Sequence, residues 1–284
     1  MTSARTLVIP GYQVVQYLGR GARSTIWQVR DRRTGNLLAL KRVVRREPSD
    51  ARFLDQAANE YEVGSRLEHP AVRRIHEIRR IRKLLTLREV HLIMEYCEGA
   101  TVQEDRPTDL PETVRVFLQV AEGLAHMNAR SIIHADMKPN NILVAPDGAV
   151  KIIDFGQSCP LGTIKERVQG TPDFIAPEQV HRRPLDARTD VFNFGAALYW
   201  TLTGRAIPTA LPKKGALTMK ADMVVQPIEQ SNPDVPAALT KLVMDCVEVQ
   251  PSRRPDSMNE VVSRLHLIAH KLLLDAQGGV KVEE

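Results

Sequence analysis

Apolar and polar residues alternate in short runs over the first third of the chain, which is typical of half-buried β-strands. Five such strands are predicted, over residues 12–18, 26–30, 37–43, 71–80 and 90–96. Helical periodicity over residues 53–67 interrupts them, and that helix should end before His69-Pro70 because the residue preceding a proline disfavours helix. This part of the chain therefore predicts a small antiparallel sheet with one main helix.

The rest of the chain is predicted to be mostly helical. Asp109 and Glu112 are placed as a capping box, and apolar residues then recur at helical spacing. Residues 191–202 are almost all apolar, which indicates a helix buried on most sides. Two further amphipathic helices are expected over residues 237–247 and 258–274.

These elements predict an α+β fold with two lobes, and 284 residues suffice for a core without disulfides. The expected divisions are a tail (1–10), a small lobe (11–94), a crossing (95–99), a large lobe (100–272) and a second tail (273–284). Residues 11–272 would form one domain.

The cysteines and the hydropathy of the chain indicate the cellular compartment of the protein. Cys97, Cys159 and Cys246 are odd in number and far apart, which argues against a disulfide framework or a zinc ribbon. Residues 1–10 lack the features of a secretory signal, and the best membrane candidate, residues 265–274, has about half the needed length. We expect a cytoplasmic protein without a membrane segment.

Positive charge is concentrated in the first 99 residues, which hold 19 Lys and Arg against 11 Asp and Glu. Much of the excess lies in residues 73–83. A nucleic-acid or acidic-partner surface is one interpretation. No aromatic residue interleaves with these arginines, so nucleic acid is an unlikely partner and a solvated, arginine-rich strand pair is favoured.

A polar loop at residues 134–141, pinned between apolar segments, carries the strongest chemical signal. Asp136 could accept a hydroxyl proton, and Asn141 could bind a metal ion through its carbonyl oxygen. Asp154 ends an apolar strand and precedes Phe155-Gly156, and its carboxylate suits Mg²⁺. Phosphoryl transfer needs such a base and such metal ligands, whereas two unrelated turns would not require this spacing.

Upstream residues could hold a nucleotide. Gly19 and Gly21 lie between the first two strands, where glycine lets the backbone approach a phosphate. Ser24 replaces the third glycine of a GxGxxG pattern, so this segment alone could also be an ordinary hairpin. Lys41 on the third strand could contact phosphates and pair with Glu60 on the helix, although each alone could be a surface residue.

Together these segments resemble the eukaryotic-type serine/threonine protein kinases over residues 11–272. The matching pieces are Gly19, Lys41, Glu60, Met94-Glu95-Tyr96, the loop at Asp136, Asp154-Phe155-Gly156, Ala176-Pro177-Glu178, Asp190 and Arg254. Lys138 and the segment Gly170-Thr171-Pro172 look like the Ser/Thr subgroup. The resemblance implies transfer of the γ-phosphate of Mg-ATP to Ser or Thr hydroxyls of protein substrates.

The resemblance also implies site roles. Asp136 would be the catalytic base, Lys138 would touch the γ-phosphate, and Lys41 would hold the α/β-phosphates with Glu60 as its partner. Asn141 and Asp154 would be the Mg²⁺ ligands. The nucleotide-contacting positions would be Leu18, Gly19, Gly21, Ser24, Ile26, Ala39, Lys41, Glu95, Cys97 and Leu143.

Two residues depart from the family pattern. Ala135 replaces an arginine that pairs with a phosphorylated activation-segment residue, so activity should not depend on phosphorylation of residues 157–175. Gly64 replaces a large apolar residue on the helix carrying Glu60. A regulatory partner near this helix could seat it, in which case Gly64→Leu should raise activity. A neighbouring side chain could equally compensate.

Two other functions remain open at this stage. A kinase-like scaffold without turnover would account for Ser24, Gly64 and Ala135, although the expected catalytic residues are all present. A small-molecule phosphotransferase shares a catalytic Asp and Asn but generally lacks the Ala-Pro-Glu segment at Ala176.

Overall fold

A computed structural model of the chain describes residues 8–21, 23–208 and 225–278. The chain divides into two compact units. The first unit takes the chain up to Glu68, then Val72–Glu98 and Asp154–Gly156. The second unit takes His69–Ala71, Gly99–Ile153 and the chain from Gln157 onward.

The first unit is a five-stranded antiparallel sheet with one long helix. Its strands are β1 (Tyr12–Arg20), β2 (Ser24–Asp31), β3 (Leu37–Val44), β4 (Ile75–Lys83) and β5 (Thr86–Glu95). The strand order is β1-β2-β3-β5-β4, so β4 lies at one edge. Helix α1 (Ala51–Gly64) packs on β3, β4 and β5.

The apolar pattern explains this packing. Leu54, Ala57, Glu60 and Val63 are buried at helical spacing along one face of α1. On the sheet, Ile9, Tyr12, Val29, Leu40 and Ile93 form a buried cluster. The predicted antiparallel sheet with one main helix is therefore present.

The second unit is mainly helical. Its helices are α2 (Leu110–Asn128), α3 (Pro177–Val180), α4 (Ala187–Thr203), α5 (Ala237–Cys246) and α6 (Met258–Gly278). It also has short strands, β6 (Ala100–Thr101), β7 (Ile132–Ile133), β8 (Ile142–Val144), β9 (Val150–Ile152) and β10 (Cys159–Pro160). They form a three-stranded sheet in the order β6-β8-β9 and a two-stranded sheet of β7 and β10. Helix α4 is buried over most of its length, as its continuous apolar sequence predicts.

Several boundaries differ from the sequence prediction. The β4–β5 hairpin is longer than expected, because β4 runs to Lys83 and β5 starts at Thr86. Its outer residues are exposed, so they show no apolar alternation. Helix α1 ends at Gly64, a poor helix former, and α6 continues to Gly278, past the proposed domain end at residue 272.

Cys97, Cys159 and Cys246 are free thiols, and the last two are buried. Across the described ranges, no helix combines the length and the apolar character needed to cross a membrane. Burial raises the pKa of the Cys159 thiol, so this thiol is poorly ionised at neutral pH.

Candidate functional site

An ion pair at the centre of the first unit joins β3 to α1. The Nζ of Lys41 lies 2.6 Å from Oε2 of Glu60, whose side chain is 1% exposed. Asp154 Oδ1 lies 3.7 Å from the same ammonium. Burial by itself would lower the pKa of Lys41, but the charges of Asp154 and Glu60 outweigh burial and raise it above the usual lysine value. Lys41 is therefore a fixed, charged ammonium, as its expected role requires.

The segment carrying Asp154 is held tightly within the first unit. Asp154 has a φ of 68°, in the left-handed region, and its Oδ1 accepts the N–H of Gly156 at 3.2 Å. The Nδ2 of Asn59 on α1 donates to the carbonyl oxygens of Phe155 at 3.2 Å and Gly156 at 3.4 Å. Phe155 is buried, whereas the Asp154 side chain is 47% exposed. The fold thus fixes the backbone and presents the carboxylate.

Gly64 has no space for a larger side chain. A Cβ at this position would lie 2.6 Å from Cδ1 and 2.7 Å from Cγ1 of Ile75, and 3.1 Å from Cδ2 of Phe155. Ile75 on β4 is itself buried. Local compensation by Ile75 therefore accounts for Gly64, and the expectation that Gly64→Leu raises activity is revised, since a leucine would collide with both neighbours.

The candidate nucleotide-contacting residues of the first unit lie on its strands or close to a strand end. Leu18, Gly19, Ser24, Ile26 and Ala39 lie on β1–β3, and Glu95 and Cys97 lie at and after the end of β5. Ile26 pairs directly with Lys41 across β2 and β3. The turn is closed by the Gly21 N–H donating to the Ser24 carbonyl at 2.9 Å, and a Cβ on Gly21 would lie 2.8 Å from Ser24 Oγ. Leu143 lies on β8, in the second unit.

In the second unit, Asp190 on α4 shapes the loop around residue 135. Its buried carboxylate accepts the N–H groups of His134 at 3.0 Å and Ala135 at 2.9 Å, and Asn128 donates to it at 2.8 Å. Ala135 has a φ of 60°, a conformation that costs about 1–2 kcal/mol for a residue with a Cβ. The hydrogen bonds to Asp190 offset this cost and set the position of the next residue, Asp136.

Asp136 lies in a compact hydrogen-bonded group with Lys138 and Thr171. Its Oδ2 is 3.0 Å from the Nζ of Lys138, and its Oδ1 accepts the Thr171 hydroxyl at 2.8 Å. Lys138 also donates to the Thr171 Oγ1 at 2.6 Å. A largely buried carboxylate here accepts a hydrogen bond from a hydroxyl beside a fixed ammonium. The Thr171 hydroxyl was absent from the predicted site, although the sequence flagged its segment.

Asn141 extends this group. Its Nδ2 donates to the Asp136 carbonyl oxygen at 2.8 Å, which fixes the amide plane. The backbone carbonyl oxygen of Asn141 accepts the N–H of Ile153, the residue before Asp154 in the chain, at 2.9 Å. The side-chain Oδ1 of Asn141 makes no hydrogen bond within the described residues, so it remains available as a ligand.

A buried amide next to the loop was not predicted. Gln179 on α3 donates from Nε2 to the carbonyl oxygens of Ala135 at 2.7 Å and Gln169 at 3.3 Å. Its Oε1 accepts the Ala176 N–H at 2.9 Å and Asn193 Nδ2 at 3.0 Å. Gln179 thus ties the residue before Asp136 to the segment before α3 and to α4. Only its place directly after Ala-Pro-Glu could have indicated a role.

Where the family resemblance expects an arginine, the chain has an apolar cluster. Ala135 is buried with Ile133, Cys159 and Leu185. Strand β10, which contains Cys159, pairs with β7, which contains Ile133. Apolar packing and strand pairing therefore fix the start of the segment 157–175 without a charge at residue 135.

Glu178 and Arg254 form a buried bidentate ion pair in the second unit, with N–O distances of 2.8 and 2.9 Å. Arg254 also donates to the carbonyl oxygens of Glu248 and Arg188, and Thr189 donates to Glu178. Pairing of both charges makes the burial tolerable, and removing one partner typically costs about 3–5 kcal/mol. The pair anchors α3, and with it Gln179.

Oxygen donors suited to Mg²⁺ occur in both units. Within the described residues, no group of three or more His, Cys, Asp or Glu side chains is placed to hold a metal ion. Mg²⁺ does not need such a group, because it keeps several waters and binds few protein oxygens together with substrate phosphates. The exposed carboxylate of Asp154 and the Oδ1 of Asn141 are oxygen donors of this kind. Each of these two residues, taken by itself, therefore has the donor chemistry that the expected metal needs.

A known protein family and individual proteins are similar to this chain over most of its length. A model of the family described as "Protein kinase domain" matches residues 12–266. A probable serine/threonine-protein kinase of Clostridium acetobutylicum is 26% identical over 286 residues, which cover 98% of this chain and 43% of that protein. PknA of Mycobacterium tuberculosis, a serine/threonine-protein kinase, is 27% identical over 252 residues, covering 86% of this chain and 58% of PknA.

PrkC of Bacillus subtilis, also a serine/threonine-protein kinase, is 25% identical over 259 residues, covering 88% of this chain and 39% of PrkC. The chain thus spans less than two thirds of the length of each of these relatives. The family model covers most of the chain, and its fold is the α+β arrangement found here. The chain belongs to the protein kinase domain family, as the order of its motifs implied.

Proposed function

We propose that this chain is a protein-serine/threonine kinase that transfers the γ-phosphate of ATP to Ser or Thr hydroxyls of protein substrates. One observation carries the proposal. Asp136 accepts a threonine hydroxyl at 2.8 Å while the ammonium of Lys138 lies 3.0 Å from the same carboxylate. This arrangement can align an acceptor hydroxyl, take up its proton and place a positive charge nearby. The relatives named as serine/threonine-protein kinases support the same activity.

The proposed roles of the chain's own residues follow from their contacts. Asp136 accepts the proton of the acceptor hydroxyl as that oxygen attacks the γ-phosphorus and the bond from phosphorus to the β,γ-bridging oxygen breaks, releasing ADP. Lys138 offsets charge on the transferred phosphoryl group. Lys41, kept charged by Glu60 and Asp154, holds phosphate oxygens. Asn141 and Asp154 would hold Mg²⁺, which supplies charge neutralisation when bound.

The nucleotide contacts remain part of the proposal. The Gly19–Gly21 turn would approach the phosphates, with Ser24 at its end, and Leu18, Ile26, Ala39 and Leu143 would provide apolar contacts to adenine. Backbone groups near Glu95 and Cys97 would bind the adenine edge. We place the domain at residues 11–272, and the free thiols support a cytoplasmic location.

Protein substrates are favoured over small molecules because the Ala176-Pro177-Glu178 segment is anchored by the Glu178–Arg254 pair. A catalytically inactive scaffold is not favoured, because the Lys41–Glu60 pair is formed and Asp136, Asn141 and Asp154 are all present. A regulatory partner near α1 stays a prediction, although Ile75 already fills the space beside Gly64.

Phosphate incorporation from labelled Mg-ATP tests the activity. The full chain is assayed with a generic basic protein and with small hydroxylated compounds, beside Asp136→Asn, Lys41→Met and the surface control Lys241→Met. Asp136→Asn should lower incorporation roughly 100-fold or more, because general-base catalysis typically contributes that much. Equal incorporation in wild type, Asp136→Asn and Lys41→Met would overturn the proposal, and preferential labelling of small compounds would reassign the substrate class.

A further inference from the structure

The tip of the β4–β5 hairpin exposes two leucines. Leu84 and Leu85 connect β4 to β5, and their exposed fractions are 93% and 96%. These are the highest values among the large apolar side chains of the described residues. Neither side chain supports the core of the first unit, so the fold does not explain their presence.

The turn geometry makes leucine an unfavourable choice. Leu84, the first of the two connecting residues, has a φ of 56°. Two-residue hairpin turns with positive φ favour Gly, Asn or Asp, whereas a bulky side chain is a conformational outlier there. Such outliers persist where the surroundings enforce them and are concentrated at functional positions. The turn therefore tolerates strain to present an apolar side chain.

Three cations surround the leucines. Arg82, Lys83 and Arg88 are all exposed, and none forms an ion pair within the described residues. Nearer the core, Arg79 pairs with Glu77 and Arg42 on β3 pairs with Glu89. Arg80 on β4 is exposed and, like the three cations at the tip, forms no ion pair within the described residues. Positive charge without an ion-pair partner therefore extends from Arg80 to the part of the hairpin that carries the exposed leucines.

Neither protection of the sheet edge nor nucleic-acid binding explains both the cations and the leucines of this tip. Charges on an edge strand prevent sheet-to-sheet aggregation, which accounts for Arg82 and Lys83 on β4 but not for the leucines. A nucleic acid would use the cations but would leave the leucines in water, and the hairpin has no aromatic residue for stacking. A protein partner generally needs an interface of about 800 Å² per side, often with aromatic anchors, which the short tip of one hairpin does not offer.

We propose that the tip of the β4–β5 hairpin, residues 82–88, binds the surface of an anionic lipid bilayer. Leu84 and Leu85 enter the boundary between headgroups and acyl chains, where apolar side chains of peripheral proteins are buried. Arg82, Lys83 and Arg88 remain at headgroup level, against negative charge. This inference does not depend on the proposed kinase activity.

Vesicle flotation with the full chain tests the inference, using phosphatidylcholine vesicles with and without phosphatidylglycerol at low and high salt. Binding is expected only with phosphatidylglycerol, and it should weaken at high salt because surface charge is screened. The double change Leu84→Ser with Leu85→Ser should weaken binding roughly tenfold or more, since it removes the apolar contact. Leu267→Ser, at an exposed leucine on α6, should leave binding unchanged.

A second variant separates loss of binding from loss of folding. Leu84→Asn suits the left-handed backbone, so its thermal midpoint should equal or exceed that of wild type while vesicle binding falls. The inference is overturned if wild type ignores anionic vesicles at low salt, or if the leucine variants bind as wild type does. Binding to polyglutamate or heparin that survives the leucine changes, without leucine-dependent vesicle binding, would assign the surface to an acidic macromolecule instead.

Discussion

At the residue scale, Ala135 stands where the family pattern has an arginine. Its methyl group packs against apolar side chains, and the position carries no charge. Its neighbours Ile133, Cys159 and Leu185 hold the segment after Gly156 without an arginine. Ser158 is buried with its hydroxyl donating to the His134 carbonyl, and the Thr163 hydroxyl donates to the Pro160 carbonyl. Both hydroxyls thus already have local partners, and neither has a cation at residue 135 to meet after phosphorylation.

We therefore expect Ser158→Ala and Thr163→Ala to retain phosphotransfer activity. The physical reason is that alanine at residue 135 cannot form a charge-assisted bond to a phosphate. The measurement is initial rate with Mg-ATP on phosphatase-treated protein, with wild type as control. Loss of turnover in either variant, with an unchanged melting temperature, would contradict the expectation.

Gly64 and Ile75 should behave as a coupled pair. Gly64→Leu should destabilise the protein by about 1–3 kcal/mol through overpacking, and Ile75→Ala by about 2–5 kcal/mol through a cavity. Combined, the two changes should cost less than their sum, because the leucine can fill the space vacated by Ile75. Urea denaturation of wild type, both single variants and the double variant measures this coupling. Strict additivity would mean that the two side chains do not share one space.

Gln179 is expected to act as a positioning residue for Asp136. Gln179→Glu keeps the shape but loses the donor to the Ala135 carbonyl, so Asp136 should shift and kcat should fall about 10- to 100-fold. The KM for ATP should change little, because Gln179 contacts no proposed nucleotide residue. Steady-state kinetics with Gln179→Asn as the shorter amide control tests this. A raised KM with unchanged kcat would assign Gln179 a different role.

At the element scale, the sequence predicted the helices and strands whose apolar residues follow a clear pattern. Helix α4 was recognisable because residues 191–202 are nearly all apolar, and β1 and β2 because apolar and polar residues alternate along parts of their sequences. The outer part of the β4–β5 hairpin was not, since exposure on both faces removes the alternation. Gln179 was missed for another reason: its partners at residues 135, 169 and 193 are brought together only by tertiary structure.

For the candidate site, the identity of the residues was predictable from the sequence, but most of their side-chain contacts were not. Lys41, Glu60, Asp136, Asn141 and Asp154 were found because their residue types and order along the chain are specific. The pairing of Lys41 with Glu60 was predicted and is present, whereas their other contacts were not predictable. The Thr171 hydroxyl on Asp136 and the space taken by Ile75 beside Gly64 both depend on segments distant in sequence.

At the scale of the whole molecule, four histidines with lowered pKa values make stability depend on pH; His91 is buried, and the other three are more exposed. Burial lowers the pKa of His91 on β5, with the nearby Glu89 carboxylate opposing, and burial likewise lowers the pKa values of His69, His76 and His126. A lowered folded-state pKa means that the unfolded chain takes up protons first as pH falls. The stability these neutral histidines contribute is present above about pH 6.5 and is lost as pH falls towards their folded-state pKa values.

Thermal midpoints measured between neutral and mildly acidic pH should therefore decline with falling pH. His91→Gln should flatten part of this decline, because glutamine can keep a hydrogen bond to Glu89 without taking up a proton. His270→Gln, at an exposed position on α6, serves as the control. A midpoint that rises on acidification in wild type, or identical slopes in all three proteins, would be inconsistent with this account.

The assignment of Asp154–Gly156 to the first unit has a consequence for biosynthesis. Most of that unit lies before residue 99, yet the buried ring of Phe155 and the bonds from Asn59 to this segment complete its interior. During translation the sheet and α1 leave the ribosome well before Phe155 does. The first unit therefore lacks part of its interior packing while more than fifty further residues are synthesised, and apolar surface left uncovered in that interval favours chaperone binding or aggregation.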